Sequence, residues 1–238
     1  MKKTQLVVSI AAAALAVLAA APAAGAAPAG DPVQSPAIIG GSTGNLPYAA
    51  RMFANGQQEC TSTLIAPQYI LTAKHCVAGG GSFSFRVGSQ DQTSGGTVAN
   101  GAQVYTSSNS DLAIVRLDRS VAGATAPLGT TADARAGQQV QVYGWGATCT
   151  NQPEINCQSR YLKVATVQVS STNARDAYNG VAIQAYRGNG ITAGGDSGGP
   201  MVGNGRQIGV ASTSDRQSVT NYTSVGQYRT WIKSIAGV

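Results

Sequence analysis

Gly194-Gly195-Asp196-Ser197-Gly198-Gly199-Pro200 sets one hydroxyl among four glycines and beside one carboxylate. Glycine permits backbone shapes that a side chain would obstruct, so Ser197 reads as a serine presented on a tight loop. A serine hydroxyl is a weak nucleophile until a base takes its proton. Imidazole suits that role because its pKa lies near operating pH. The 238-residue chain has a single histidine, His75, in Leu71-Thr72-Ala73-Lys74-His75-Cys76, so a histidine-activated Ser197 forces the choice of base. A carboxylate should then hold the ring in one tautomer and stabilise its cation. Asp111 is the best candidate, since it stands just before the apolar run Leu112-Ala113-Ile114-Val115-Arg116-Leu117. Taken singly, each signal has an ordinary structural reading: a core histidine, a glycine turn, an aspartate before a strand. Their joint occurrence in one chain order is far more specific.

Chain order also removes a neighbouring reading. Gly195-Asp196-Ser197-Gly198-Gly199 matches the Gly-x-Ser-x-Gly elbow of α/β-hydrolases, but that fold places its histidine after the serine. No histidine follows Ser197.

Outward from these segments the chain is rich in glycine, with 30 residues, and only 11% charged. Short runs rich in Val, Ile, Tyr and Thr recur at 62–65, 69–72, 82–87, 112–117, 139–143, 161–169, 207–211 and 222–225. Such runs between Gly and Asn turns predict an all-β barrel or sandwich. Helical spacing appears at 227–235, where Tyr228, Trp231, Ile232 and Ile235 share a face. The Ala/Thr/Gly-rich stretch 122–137 could link two halves of similar size, although composition leaves two barrels and one sandwich both open.

The start of the chain has its own grammar. Lys2 and Lys3 precede an apolar run over 6–21, and Ala24-Gly25-Ala26 supplies small residues for cleavage. This predicts a secretory signal peptide over 1–26. The rival, a membrane anchor, is disfavoured because the run is short and nothing comparable follows. Residues 27–37 contain three prolines and read as a short pro-segment. The net charge of +6 comes from scattered basic residues, which indicates a soluble basic surface rather than a nucleic-acid interface. Four cysteines behind a signal peptide fit disulfides in an oxidising compartment. Three pairings are open, the simplest being local, Cys60 with Cys76 and Cys149 with Cys157. Zinc spacings such as C-x-x-C are missing, and one histidine cannot supply a Cys2His2 set.

The segments around His75, Asp111 and Ser197 resemble those of the chymotrypsin-like, trypsin-type serine peptidases. The likeness begins at Ile38-Ile39-Gly40-Gly41 and runs through 38–238. It implies two antiparallel six-stranded β-barrels with a C-terminal helix and the active site in the cleft between them. The first barrel is expected at about 38–125, the second at about 126–226 and the helix at 227–236. The resemblance implies His75, Asp111 and Ser197 as catalytic triad, the N–H groups of Gly195 and Ser197 as oxyanion hole, and Ser212 as support for Asp111. It implies that Cys60–Cys76 braces the His75 loop. It also implies activation by a cut before Ile38, whose new ammonium pairs with Asp196; uncut, the oxyanion region is expected to be misordered.

Several positions depart from the trypsin pattern. Ala37 precedes the expected cut, where a trypsin-like activator would need Lys or Arg. Ile191, six residues before Ser197, replaces the aspartate that receives substrate Lys or Arg, and an apolar floor leaves such a cation unpaired. Ser214 and Thr220 fall where wide pockets have glycine, so a preference for small or medium apolar residues is expected. Ala193 replaces a cysteine that staples the pocket in many relatives, while a Cys149–Cys157 pair would staple the loop after Gly144-Trp145-Gly146. The expected protein is a secreted, monomeric endopeptidase with no cofactor and no metal. Its expected partners are protein or peptide substrates and proteinaceous inhibitors, not nucleic acid or, once mature, membrane. The rivals are a catalytically silent protease-like binding protein and an esterase with the same triad.

Overall fold

Alternation decides the strands. In Phe83-Ser84-Phe85-Arg86-Val87 the odd positions are buried and the even ones half-buried, the period-two pattern of a strand with one face on a core. The computed structural model describes residues 38–238; the expected signal peptide and pro-segment lie outside the described residues. In chain order the strands are β1 (Ser42–Thr43), β2 (Ala49–Ala54), β3 (Gln57–Ala66), β4 (Tyr69–Thr72), β5 (Phe83–Val87), β6 (Thr97–Thr106) and β7 (Ala113–Leu117). They continue with β8 (Gln139–Gly144), β9 (Lys163–Arg175), β10 (Val181–Arg187), β11 (Pro200–Gly203), β12 (Arg206–Ser214) and β13 (Val219–Ser224), and end in helix α1 (Arg229–Ala236).

The strands form two closed antiparallel barrels. The first runs β2-β3-β4-β7-β6-β5 and closes through β2 on β5. The second runs β9-β10-β13-β12-β11-β8 and closes through β8 on β9. Each holds its own core, Leu64, Ile70, Leu71, Phe85 and Ile114 in the first, Val142, Val167, Ile183, Met201 and Tyr222 in the second. From Cys60 to Ala66 every residue of β3 is buried, since its outer face meets the second barrel. There Thr61 Oγ1 donates to the Gly195 carbonyl at 2.8 Å and Thr63 Oγ1 to Gln207 Oε1 at 2.8 Å.

Two expected boundaries shift. Residues 38–43 belong with the second barrel, not the first: Ile38 sits in its core, Ile39 pairs with Ile191 and β1 pairs with β9. The helix begins at Arg229 and packs back on the first barrel, with Ile232 in that core. It stops at Gly237, whose left-handed backbone lets its N–H reach the Lys233 carbonyl at 2.9 Å. Among the described residues no helix is long and apolar enough to cross a membrane.

Candidate active site

Strand register brings His75 to Asp111. Thr72 at the end of β4 pairs with Ala113 at the start of β7, so the turn after one strand meets the loop before the other. The His75 N–H donates to Asp111 Oδ1 at 2.9 Å, and His75 Nδ1 lies 2.7 Å from Oδ2. An ionised carboxylate there fixes Nδ1 as donor and leaves Nε2 as acceptor. Cys60–Cys76, with an S–S distance of 2.03 Å, ties the histidine turn to β3. Asp111 is fully buried and also accepts from Ser212 Oγ at 2.6 Å. Burial works against its charge, but the bonds from His75 and Ser212 outweigh it and hold the carboxyl below its ordinary range.

Ser197 sits on the loop entering β11. Its carbonyl accepts from the Thr61 N–H at 2.9 Å. The next residue, Gly198, has φ of 79°, and a Cβ there would strike Thr72 Oγ1 and the Thr61 carbonyl, so the loop can pass β3 only as glycine. Ser197 and His75 share the wall of a cavity of about 290 Å³. Among the described residues no hydrogen bond joins them, a loose geometry common before substrate binds.

Peptide planarity gives the direction of the Gly195 N–H. The Gly194 carbonyl accepts from the Ala147 N–H at 2.8 Å. In a trans peptide the N–H points opposite to the carbonyl, so the Gly195 N–H is turned away from Ala147. Gly195, Ser197 and His75 line a common surface cavity. Asp196 is fully buried, with Oδ1 accepting from the Gly146 N–H at 2.7 Å and Oδ2 from the Ala193 N–H at 2.9 Å. Burial still pushes its carboxyl up to about 7. In the uncut chain Ile38 carries a peptide N–H rather than an ammonium, and Asp196 has no ion-pair partner among the described residues. With residue 38 uncut, the Gly194 and Gly195 carbonyls and the Asp196 carboxylate all have backbone or side-chain donors.

Of the three expected pocket residues, Ser214 is in the cavity wall. Thr192, Ala193, Gly194, Thr213, Ser214 and Arg216 line the 290 Å³ cavity; Ile191 and Thr220 are buried outside its wall. Ser214 Oγ crosses to the Thr192 carbonyl at 2.8 Å, and the Thr192 and Thr220 hydroxyls are 2.8 Å apart. These bonds tie Thr192 to the β12–β13 hairpin. At the rim Arg216 grips Glu154 with two nitrogens, Nη2 to Oε2 at 3.0 Å. Glu154 comes from the loop stapled by Cys149–Cys157 and lies where a Cβ on Gly194 would be.

The family model described as Trypsin matches residues 38–232. The chain belongs to the trypsin family of serine proteases. It is 28% identical to the thrombin-like enzyme leucurobin of Bothrops leucurus, over 83% of this chain and 96% of that one. It is 29% identical to achelase-1 of Lonomia achelous, over 84% and 100%. Among solved structures, the scabies mite inactivated protease paralogue S-D1 superposes with a TM-score of 0.74 at 22% identity, over 84% of this chain and 97% of that one. Mouse neuropsin gives 0.66 at 27%, over 79% and 94%.

The trypsin-family site includes residues that sequence reasoning missed. Asp176, buried in the β9–β10 turn, accepts from the Asp111 N–H at 2.8 Å and from Thr223 Oγ1 at 2.8 Å, so one carboxylate holds the backbone of another. Asp176-Ala177-Tyr178-Asn179-Gly180 signals only a turn. Arg51 and Gln158 behind the oxyanion loop carried no signal at all.

Proposed function

We propose that this chain is a secreted serine endopeptidase, made as a precursor and cut before Ile38. The observation that carries the reading is the Asp111–His75 pair at 2.7 Å on the same cavity wall as Ser197. Ser197 Oγ attacks the substrate carbonyl carbon while His75 Nε2 takes its proton. The carbonyl oxygen becomes an oxyanion facing the Gly195 and Ser197 N–H groups, donors that act most strongly on charge present only in the transition state. The carbon–nitrogen bond then breaks, and the leaving amine takes the proton from His75. Water repeats the sequence on the acyl-enzyme, with His75 again as base, and frees Ser197.

The cavity supports a substrate side chain that is small and uncharged. Ser214 and Thr192 in its wall are bonded to each other, and Arg216 is the charged residue there, a poor neighbour for substrate Lys or Arg. Peptide-library profiling of the Ile38-started protein should give cleavage after Ala, Val or Leu faster than after Lys or Arg. The opposite order would refute this specificity. A fluorophosphonate should add covalently to Ser197, and a folded mature protein that takes none would be a silent binding protein instead. Ala37 before the cut supports processing by an enzyme that accepts small residues, including this one. A Ser197→Ala precursor that still matures alone would exclude self-processing.

A further inference from the structure

Arg51 stands in β2 with its side chain wholly buried. Its guanidinium donates from Nε to Gln92 Oε1 at 3.0 Å and from Nη1 to the carbonyls of Cys60 at 3.3 Å and Gly195 at 3.1 Å. Nη2 bonds Gln158 Oε1. Burial draws its pKa down to about 10, against the pull of Asp196 and Glu59, so it stays a cation at neutral pH. A buried charge is costly, and apolar side chains of similar size often serve stability as well or better. The arginine does something an apolar residue could not: it holds a specific carbonyl 144 residues away.

That carbonyl belongs to Gly195, the residue whose N–H serves as an oxyanion donor in the proposed mechanism. Thr61 Oγ1 is its second donor, at 2.8 Å. The preceding carbonyl, Gly194, is fixed by Ala147 at 2.8 Å. The peptide that carries the Gly195 N–H is thus tied through the Gly194 carbonyl and the peptide after it through the Gly195 carbonyl, so the hinge at Gly195 is held from both sides. Gly195, with φ of 95°, would otherwise be among the freest residues in the loop. The same cation also favours the ionised form of Asp196, the next residue.

We propose that Arg51 is a positioning residue for the oxyanion hole: from inside the first barrel it fixes the peptide after Gly195, so that the hinge at Gly195 keeps the shape in which the Gly195 N–H can face the cleft. This rests on the serine-protease reading for its catalytic consequence.

The test compares wild type, Arg51→Met and Arg51→Lys as Ile38-started proteins. Arg51→Met should lower kcat at least tenfold with KM within about twofold, the mark of an interaction realised in the transition state. Arg51→Lys keeps the charge without the fork and should recover only part of the loss. A purely structural arginine would lower the melting temperature and leave kcat of the folded protein intact, which would overturn the proposal. Should Arg51→Met not fold, Gln92→Ala and Gln158→Ala each free one arm of the fork and should lower kcat severalfold; unchanged kcat in both overturns it. Independently, the Gly195 amide is followed by ¹⁵N NMR in full-length Ser197→Ala, with and without the Arg51 change. Faster hydrogen exchange or a second resonance is expected, and an unaltered amide overturns the proposal. If wild type neither hydrolyses peptides nor takes a phosphonate, the protease reading fails, while the amide measurement still decides whether Arg51 orders the loop.

Discussion

Ser212 is fixed from both sides: it donates to Asp111 Oδ2 at 2.6 Å and accepts from the Ala177 N–H at 3.0 Å. Ser212→Ala should cost about 1–2 kcal/mol in urea unfolding, because it removes a bond to a buried charge. It should also raise the pH of acid unfolding. Asp111 is held below its ordinary 3.8, so its stabilising contribution is present above 3.8 and lost as pH falls through the lower folded value. Losing one donor moves that folded value up, and a circular-dichroism acid titration would show the midpoint rising. Asp111→Asn leaves the shape but favours the wrong histidine tautomer, and kcat should drop by about 10⁴-fold. Ser197, His75 and Asp111 were legible because their chemistry is unusual in short segments of fixed order. Arg51 was not, since an arginine in a strand ordinarily faces water. Its grip on Gly195 spans 144 residues and that of Asp176 on Asp111 spans 65, separations that no local pattern encodes.

At the level of elements, legibility followed burial. The runs at 69–72 and 139–143 coincide with β4 and nearly with β8 because both face a core. β6 passed unread because most of its side chains are exposed, so alternation carries no apolar signal. The pocket is likewise a matter of elements, the β12–β13 hairpin against the stapled loop, and spacing around Ser197 says nothing of the Ser214 and Thr220 bonds to Thr192. Ser214→Gly with Thr220→Gly removes the cross-bonds to Thr192. This pair should deepen the cavity, with kcat/KM for Leu or Phe rising relative to Ala in a peptide series; an unchanged ranking would contradict the hairpin's role. Opening the Cys149–Cys157 loop by Cys149→Ser with Cys157→Ser should cost about 2–3 kcal/mol through loop entropy. It also releases Glu154 from the rim. Glu154→Gln weakens the partly exposed pair to Arg216, worth about 1 kcal/mol or less. A KM that shifts in both variants, with kcat steady, would place the ion pair at the substrate entrance.

The whole molecule turns on one carboxylate in its middle. Asp196 lies under the oxyanion loop of the second barrel, near Arg51 of the first, and residues 38–43 run along the second barrel through Ile39–Ile191 and β1–β9. A cut before Ile38 therefore creates a charge on the barrel that needs one. Burial raises the Asp196 pKa from 3.8 to about 7 in the uncut chain. The favourable contribution of its neutral form is present below pH 3.8 and is lost as pH rises through about 7. The difference is about 4 kcal/mol. Pairing with an Ile38 ammonium would lower that pKa and remove the loss. Ser197→Ala versions of the uncut and Ile38-started chains, unfolded by urea at pH 4.5 and pH 8, separate the two states. The mature chain should be the more stable at pH 8 by a few kcal/mol and have much less advantage at pH 4.5. Equal gaps at both pH values would mean that Asp196 never receives the new amino terminus. Arg51 would then be the cation the loop relies on throughout, and cleavage would act on substrate access rather than on the oxyanion hole.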